Sequence, residues 1–348
     1  MPISRKYVVT KNFDGLPKKN DFEIVENELP PLIHGEILVK AQWISVDPYL
    51  FAYNAFLRKI PYDQFGFQVG IVEESKDPEY PVGTKVVTHM GWCDRCIVNP
   101  STSVSSFEVL SIEELAKKSF LLYKLPDLPE GLSPSLGLGA VGMPGATAYY
   151  GFLEVCKPKP GETVVVTGAG GAIGSLVGQI AKIKGCRVIG FTGSDDKAMR
   201  LEKDLKFDKA FNYKKANIAE ALKRAAPNGV DCYFDNVGGE ISSTIMYHMN
   251  KFGRVAICGS MGSYFNGFEN MPKVTLTQPA IVLKELKVEG FMVSRWRDWS
   301  RAFEDITKWI QNGNIKASEH ITEGFDNLLD ALNGLLAGDN FGKAVVKI

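Results

Sequence analysis

The sequence lacks an excess of charge of either sign, because its 40 lysines and arginines balance its 40 aspartates and glutamates. Binding to nucleic acid or to an anionic membrane surface requires a basic excess or a concentrated basic patch, so we expect neither partner. No apolar run approaches the roughly 20 residues of a membrane span, and the first segment lacks the apolar core of a signal peptide. We therefore expect no membrane association and a cytoplasmic location.

Cysteine and histidine are also scarce. The six cysteines are too thinly spread for a disulfide framework in a chain of 348 residues. Only Cys93 and Cys96 form a C-x-x-C pair, no second pair completes the four ligands of a structural zinc site, and the four histidines have no ligand-like spacing. We predict no metal, with a redox or metal role for this pair as the lesser alternative.

One stretch, residues 163–184, has the pattern of a strand, a glycine-rich turn and a helix. A β-branched run ends at Thr167, and the spacing A-x-G-x-x-G follows on Ala169, Gly171 and Gly174. Glycines let a ligand approach the backbone, and the first turn of a helix offers unpaired N–H groups to a pyrophosphate. Because a strand precedes the glycines and a helix follows them, the pattern favours dinucleotide binding over a purely structural turn.

The pattern of strands and helices predicts two domains, as the length also suggests. Residues 1–110 carry short strands separated by proline and glycine, which is typical of a β-barrel or sandwich. Six later strands with helical crossovers predict an α/β, doubly wound parallel sheet, at 163–167, 187–192, 210–212, 230–235, 254–258 and 286–293. The predicted boundaries are 1–135 with 313–348, and 136–312. The short terminal strand, 343–348, needs partners, so we expect it to return to the first domain.

The end of the second strand of this sheet bears on the choice of nucleotide. Sites that prefer NAD place an acidic residue there to bind the ribose 2′-hydroxyl, but the strand tip here carries none. Asp195 and Asp196 come only afterwards, and Lys197 follows them. Lys197 and the hydroxyl of Tyr213 suit a 2′-phosphate, which a carboxylate would repel, although either residue also reads as a solvated surface group. We predict NADPH as the cofactor.

Three further patterns lie in the first third of the chain. Asp47-Pro48 predicts a turn that presents Tyr49 on a surface or in a cleft, with half-buried packing as the other interpretation. Ser111 and Glu114 fit a capping box for a short helix. Aromatic residues are dense, which indicates either an apolar substrate pocket or core packing. They are Trp43, Tyr49, Phe51, Tyr53, Phe56, Tyr62, Phe65 and Phe67, together with Trp92.

These residues resemble the zinc-independent medium-chain dehydrogenases/reductases, and within them the prostaglandin reductases, also called leukotriene hydroxydehydrogenases or alkenal/one oxidoreductases. The matching segments span most of the chain in the expected order. They are VDPY at 46–49, GMPGATAYYGFLEVC at 142–156, GAGGAIGSLVGQIAKIKGCRVIG at 168–190, FNYK at 211–214, DCYFDNVGGE at 231–240, KFGRVAICG at 251–259 and GDNFGKAVVKI at 338–348.

The resemblance implies a Rossmann domain inserted into a GroES-like β-barrel substrate domain, usually in a homodimer. The implied reaction is NADPH-dependent reduction of the carbon–carbon double bond of a small apolar α,β-unsaturated ketone or aldehyde of the 15-oxo-prostaglandin or alkenal type, by hydride transfer to the β-carbon without a metal. Tyr49 and Tyr264 are implied to face the cleft, where we expect them to position the substrate or stabilise the enolate.

The resemblance also implies the residues that contact the cofactor. Lys197 and Tyr213 would bind the 2′-phosphate, and Gly171 to Gly174 the pyrophosphate. The full implied set is Ala169, Gly171, Ala172, Ile173, Gly174, Lys197, Tyr213, Asn236, Cys258, Gly259, Tyr264, Phe291, Met292, Val293 and Asn340.

The chain departs from the family immediately after Tyr49, where Leu50 and Phe51 replace the usual methionine and arginine. The loss of that arginine leaves it open whether this chain shares the substrate preference of prostaglandin-type members. Two alternatives stay open: a quinone reductase with the same fold and cofactor, and an NADPH-binding protein without catalytic activity. Turnover of quinones but not enones would favour the first, and tight NADPH binding without its oxidation would favour the second.

Overall fold

The structure is a computed structural model that describes residues 1–57, 60–102, 121–264 and 271–348, without the side chains of 55–57. The predicted capping box at Ser111 and Glu114 and the side chain of Phe56 lie outside these residues. The chain forms two compact units. The first comprises Met1–Leu138, Glu319–Asp339 and Ala344–Ile348, and the second Gly139–Ser318 and Asn340–Lys343.

Within its described residues, the first unit begins with eight short strands and one α-helix. The strands are β1 (Ile3–Val9), β2 (Phe22–Glu28), β3 (Ile37–Ser45), β4 (Tyr62–Asp63), β5 (Gln68–Ser75), β6 (Lys85–Thr88), β7 (Arg95–Val98) and β8 (Leu122–Lys124). β1 pairs antiparallel with β2 and β4, whereas β3 pairs antiparallel with β5 and β7. The prediction of a β-rich unit is confirmed for this part of the chain.

The first helix of this unit, α1 (Pro48–Leu57), begins where the sequence predicted only a turn. Proline is favoured at the first helical position because its φ is already helical and its missing N–H would have no partner there. The N–H of Leu50 donates to the carbonyl of Asp47 at 3.1 Å, which continues the turn into the helix. The prediction was therefore wrong in extent, because the local Asp-Pro pattern is common to turns and to helix starts.

In the described part of the second unit there are six parallel strands. They are β9 (Thr163–Thr167), β10 (Arg187–Thr192), β11 (Lys209–Asn212), β12 (Val230–Asp235), β13 (Met249–Ile257) and β14 (Lys287–Gly290). Their spatial order is β11-β10-β9-β12-β13-β14. This order confirms the doubly wound sheet, in which the strand sequence reverses between β9 and β12. Three predicted strands match at both ends, whereas β13 begins earlier than predicted.

Seven helices and one π-helical turn accompany this sheet among the described residues. They are α2 (Met143–Tyr150), the π turn (Gly151–Cys156), α3 (Ala172–Ile183), α4 (Asp195–Leu205), α5 (Ile218–Ala225), α6 (Gly239–Tyr247), α7 (Gln278–Lys284) and α8 (Ser300–Gln311). One face of the sheet packs in an apolar core that includes Val165, Ile189, Phe191, Tyr233 and Val255. Burial of this continuous β-branched and aromatic surface stabilises the parallel sheet.

The C-terminal segment returns to the first unit with β15 (Glu319–Glu323), α9 (Leu328–Ala337) and β16 (Lys343–Lys347). β16 pairs antiparallel with β3, with Val345 opposite Ser45. The expectation that the terminal strand finds its partners among the first strands is confirmed. The described part of this sheet runs β15-β16-β3-β5-β6-β8, with β7 also on β3.

Most of the dense aromatic residues near the N-terminus are core residues of the first unit. Phe65, Phe67 and Trp92 are at most 5% exposed, and Tyr7 packs edge-on against Trp92 with ring centres 5.5 Å apart. Core packing is therefore their principal role. None of the helices within the described ranges has both the length and the apolar character needed to cross a membrane.

Candidate cofactor site

The glycine turn after β9 brings the backbone of α3 very close to the end of the strand. Gly168 has φ +60°, which glycine adopts without strain. A Cβ on Gly174 would lie 2.4 Å from the carbonyl oxygen of Gly168, so only glycine allows this approach. Gly171, at the N-cap of α3, provides no side-chain cap, so the first N–H groups of α3 lack a side-chain partner there. Such groups suit a pyrophosphate.

The predicted residues of this turn occupy different positions around it. Ala169 is fully buried, and its N–H donates to the carbonyl of Phe191 at 3.0 Å, which ties the turn to β10. Ala172 and Ile173 form the first turn of α3 and are partly exposed. Their N–H groups, rather than the backbone of Ala169, are thus the ones placed at the start of the helix.

The segment 340–343 also belongs to the second unit and covers one side of the glycine turn. The N–H of Gly342 donates to the carbonyl of Gly170 at 2.8 Å. Asn340 is buried, and its Nδ2 donates to the carbonyl of Gly342 at 2.8 Å. The side chain of Asn340 thus holds this segment in the shape that contacts the turn, and it brings Asn340 close to the predicted cofactor residues.

The end of β10 gathers the polar groups predicted for a 2′-phosphate. Ser194 caps α4, with its hydroxyl accepting a hydrogen bond from the N–H of Lys197 at 3.3 Å. A Cβ on Gly170 would lie 3.3 Å from Cδ of Lys197, so the lysine stem packs against the glycine turn. A Cβ on Gly193 would lie 3.7 Å from both the Tyr213 hydroxyl and Cε of Lys214. Lys214 is a candidate that the sequence analysis missed, although it directly follows Tyr213.

Asn236 lies at the reversal point of the strand order. Its Nδ2 donates to the carbonyl of Thr167 at 2.7 Å, which connects the ends of β12 and β9. The hydroxyl of Thr167 donates to Asp235 at 3.0 Å, and the same carboxylate oxygen accepts the N–H groups of Val237 and Gly238 at 2.9 Å. Asp235 therefore shapes this turn, a role that the sequence analysis did not assign.

Cys258, Gly259 and Tyr264 form a second loop, which follows β13. The N–H of Cys258 donates to the carbonyl of Asp235 at 2.8 Å. Burial, together with the nearby Asp235 carboxylate, raises the pKa of the Cys258 thiol to about 12, so it stays protonated at neutral pH. The N–H of Ser260 approaches the Tyr264 hydroxyl at 3.5 Å, and burial raises the pKa of this phenol. A protonated phenol at the end of the sheet is a hydrogen-bond donor.

Phe291 to Val293 follow β14 at the same edge of the sheet. The N–H of Phe291 donates to the carbonyl of Ile257 at 3.3 Å, and its ring is buried. A Cβ on Gly151 would lie 2.1 Å from this ring. The side chain of Met292 is 64% exposed whereas that of Val293 is buried, so Met292 faces solvent and Val293 packs inside the protein.

Tyr49 belongs to the first unit. Its ring stacks on Phe65 with centres 6.2 Å apart and lies 5.6 Å from that of Tyr53. Its hydroxyl is buried and has no hydrogen-bond partner among the described residues. Burial raises the pKa of Tyr49 well above its usual range, and the nearby Asp47 carboxylate adds to this effect. Half-buried packing, one of the two interpretations from sequence, describes the ring, and the phenol stays protonated.

The residues of the second unit fit a dinucleotide better than a metal. The close backbone approach at Gly174, the first turn of α3 and the lysines near Gly170 and Gly193 provide room, N–H donors and positive charge for phosphates.

In the part of the chain that the structure describes, no three His, Cys, Asp or Glu side chains form a possible metal-ligand group. Cys93 and Cys96 are buried in an apolar cluster, and contact with Cys93 and burial raise the pKa of the Cys96 thiol.

Comparison with known proteins gives full-length matches. Residues 5–105 match a model described as the N-terminal domain of oxidoreductase, and residues 172–308 match one described as zinc-binding dehydrogenase. The chain is similar to prostaglandin reductase 1 of Bos taurus, with 45% identity over 350 residues that cover all of both chains.

Two further similarities extend beyond mammals. The NADP(+)-dependent 2-alkenal reductase of Nicotiana tabacum is 35% identical, and the match covers 99% of this chain and 98% of that protein. The crystal structure of CurA from Vibrio vulnificus in complex with NADPH is 33% identical, covers 99% of this chain and 98% of its own, and superposes with a TM-score of 0.85.

Proposed function

This chain belongs to the zinc-independent medium-chain dehydrogenases/reductases of the prostaglandin reductase type, and we propose that it reduces the carbon–carbon double bond of α,β-unsaturated ketones and aldehydes with NADPH. The observation that carries the proposal is the full-length similarity to prostaglandin and alkenal reductases, supported by a glycine turn at the sheet edge whose close backbone approach suits a phosphate. The small apolar enone or enal is the substrate class.

NADPH supplies the hydride when it is bound. We propose that the first turn of α3 binds the pyrophosphate and that Lys197 and Tyr213 bind the 2′-phosphate. Asn236, Asn340 and the loop at Cys258 and Gly259 would position the remainder of the cofactor, with Phe291, Met292 and Val293 beside the nicotinamide. In support, these residues lie along the carboxyl edge of the sheet of the second unit, except Asn340, whose segment contacts the glycine turn.

Addition of hydride to the β-carbon leaves negative charge on the carbonyl oxygen of the substrate, and hydrogen-bond donors stabilise that charge. We propose the phenols of Tyr264 and Tyr49 as these donors. Burial raises the pKa of both phenols, so each keeps its proton at neutral pH. Neither needs to be a strong acid, because solvent also provides a proton to the α-carbon.

Leu50 and Phe51, which follow Tyr49 in place of the family's methionine and arginine, affect the substrate preference through the loss of the arginine. Leu50 is fully buried in the core of the first unit, and Phe51, 5% exposed, stacks on Phe13 with ring centres 5.9 Å apart. The usual arginine is thus replaced by a residue that packs inward. We propose that the enzyme favours short apolar enones and enals over substrates that carry a carboxylate, since an arginine that could pair with that group is missing at this position.

We further propose a cytoplasmic homodimer. β14 ends the described six-stranded sheet, and Val288 on it is exposed, as are Leu276, Val282 and Leu283 nearby in the sequence. Pairing of β14 with its copy would satisfy the backbone groups of this edge and cover these apolar side chains. The six unpaired cysteines agree with a reducing compartment. Sedimentation equilibrium gives the oligomeric state, and a monomer at micromolar concentration would reject the dimer.

The experiment that tests the function follows NADPH oxidation with a medium-chain alkenal, an aliphatic enone, a 15-oxo-prostaglandin and a quinone side by side. NADH serves as the control for cofactor preference. We expect NADPH consumption with the alkenal and the enone, and recovery of the saturated carbonyl product. Consumption with the quinone alone would replace the proposal by a quinone reductase, and no consumption with any substrate would favour a binding protein.

A further inference from the structure

Asn212 is a buried amide whose two ends are both engaged. It is the last residue of β11, opposite Thr192 at the end of β10, and it is 9% exposed. Its Nδ2 donates to Oδ1 of Asp195 at 2.9 Å, and its Oδ1 accepts the N–H of Lys214 at 3.1 Å. A buried side chain with both ends bonded has one orientation, so Asn212 fixes the position of the Asp195 carboxylate.

Lys215 provides the second contact to this carboxylate. Its Nζ donates to Oδ2 of Asp195, so each carboxylate oxygen has its own donor. Both side chains of this ion pair are largely exposed, 72% for Lys215 and 63% for Asp195, and an exposed ion pair contributes little by itself. The hydrogen bonds from Lys215 and Asn212 lower the pKa of Asp195, so the carboxylate is charged at neutral pH.

The position of Asp195 makes its charge relevant to the cofactor. It is the first residue of α4, two residues before Lys197, and its partner Asn212 directly precedes Tyr213. Asp195 is therefore linked to both residues proposed for the 2′-phosphate, to Lys197 through the helix backbone and to Tyr213 through the hydrogen bond with Asn212. A carboxylate that turned toward these residues would repel a 2′-phosphate and attract Lys197, which favours a cofactor with a plain ribose hydroxyl.

We propose that Asn212 is a positioning residue that sets the preference for NADPH over NADH, by holding the Asp195 carboxylate toward Lys215 and away from the 2′-phosphate. This inference depends on the proposed function, because that proposal places the 2′-phosphate at Lys197 and Tyr213. The cofactor selectivity is thus assigned to Asn212, which does not contact the cofactor, and to Asp195. From the sequence pattern alone, the Asp195 carboxylate would be an argument against NADPH.

The test compares the binding of adenosine 2′,5′-bisphosphate and of 5′-AMP by calorimetry, which needs no turnover. Asn212→Ala is measured with Asp195 present and in the Asp195→Asn background. We expect Asn212→Ala to lower the affinity for the bisphosphate about fivefold when Asp195 is present and less than twofold in the Asp195→Asn background. A fivefold change corresponds to about 1 kcal/mol, which is the repulsion expected from one nearby surface charge. Binding of 5′-AMP is expected to change less than twofold throughout.

Asn217→Ala is the matched control, because Asn217 is an exposed asparagine that caps α5 through the N–H of Glu220, and its side chain forms no hydrogen bond with Asp195 or Lys214 among the described residues. It should leave both affinities unchanged. If Asn212→Ala does not fold, Lys215→Met removes the other partner of Asp195 without disturbing the core. A smaller loss of affinity for the bisphosphate, which disappears in the Asp195→Asn background, would support the same inference.

Three results would overturn the inference and leave the proposed 2′-phosphate site in place. An equal loss of affinity in both Asp195 backgrounds would show that the carboxylate is not involved. An equal loss for the bisphosphate and 5′-AMP would indicate a structural role for Asn212. No change in either affinity would exclude any role. If instead the unmodified protein does not prefer the bisphosphate over 5′-AMP, the proposed 2′-phosphate site itself is wrong, and the inference is rejected with it.

Discussion

Gly174 in the first turn of α3 lies so close to Gly168 that a Cβ would come within 2.4 Å of its carbonyl oxygen. Gly174→Ala must therefore push α3 away from the end of β9. We expect a loss of stability of about 1–3 kcal/mol, as for other overpacked positions, and weaker binding of NADPH. Urea unfolding and NADPH titration measure the two effects.

The matched control is Gly334→Ala within α9, where the new Cβ would meet only Asp339 Oδ2 at 3.6 Å. There we expect a gain of up to about 1 kcal/mol, because alanine is the better helix former. If both variants change stability in the same direction, close packing at the glycine turn is not what requires Gly174.

Gly151 provides the space for the buried ring of Phe291, since a Cβ would lie 2.1 Å from that ring. We expect Gly151→Ala to displace Phe291 and the backbone that follows it, and to lower kcat/KM with little effect on the binding of adenosine 2′,5′-bisphosphate. Phe291→Leu in the same chain should restore part of the activity, because the smaller side chain leaves room for the methyl group. The absence of any recovery in the double variant would argue against this packing relationship.

Tyr264→Phe and Tyr49→Phe remove the two proposed phenol donors. We expect each to lower kcat by about 10-fold to 100-fold, somewhat less than the loss of a strong oxyanion donor, with the dissociation constant of NADPH unchanged. Steady-state kinetics with an alkenal, together with NADPH titration, measure the effects. Tyr53→Phe is the control, since its ring contacts that of Tyr49. Complete inactivity of Tyr264→Phe with intact NADPH binding would instead make this phenol the essential acid.

His89 is buried against Phe67, with ring centres 4.7 Å apart, and burial lowers its pKa from 6.5 to about 4. Below pH 6.5 the unfolded chain binds a proton at His89 that the folded chain does not. The stability that His89 contributes is thus fully present above pH 6.5 and declines as the pH falls toward 4, by up to about 3 kcal/mol.

We expect His89→Gln to flatten the pH dependence of the urea midpoint between pH 6.5 and 4.5, because glutamine does not titrate. Unfolding curves of both proteins across this range provide the measurement. Parallel curves for the two proteins would mean that other groups account for the acid sensitivity.

Much of the second unit was predictable from sequence because its pattern is local. The β-branched run that ends at Thr167 and the glycine spacing at 171 and 174 predicted a strand, a turn and a helix, and the structure has them at those positions. The start of β13 was missed because Phe252 there has φ +63°, a conformation that no strand pattern predicts. The helix that begins at Pro48 was missed because a proline after an aspartate is favoured both in turns and at the first position of a helix.

The sequence by itself determined the alternation of strands and helices, since apolar periodicity and glycine spacing act over a few neighbouring residues. The family was implied by the resemblance of whole segments such as residues 231–240 and 338–348. Only the tertiary structure decided that Gly342 contacts Gly170 and that Asn212 binds Asp195. These contacts join residues that are distant in sequence, and their formation depends on which strands become neighbours in the folded sheet. Nothing in the local pattern around Asp195 indicates that its carboxylate is held by a residue 17 positions away.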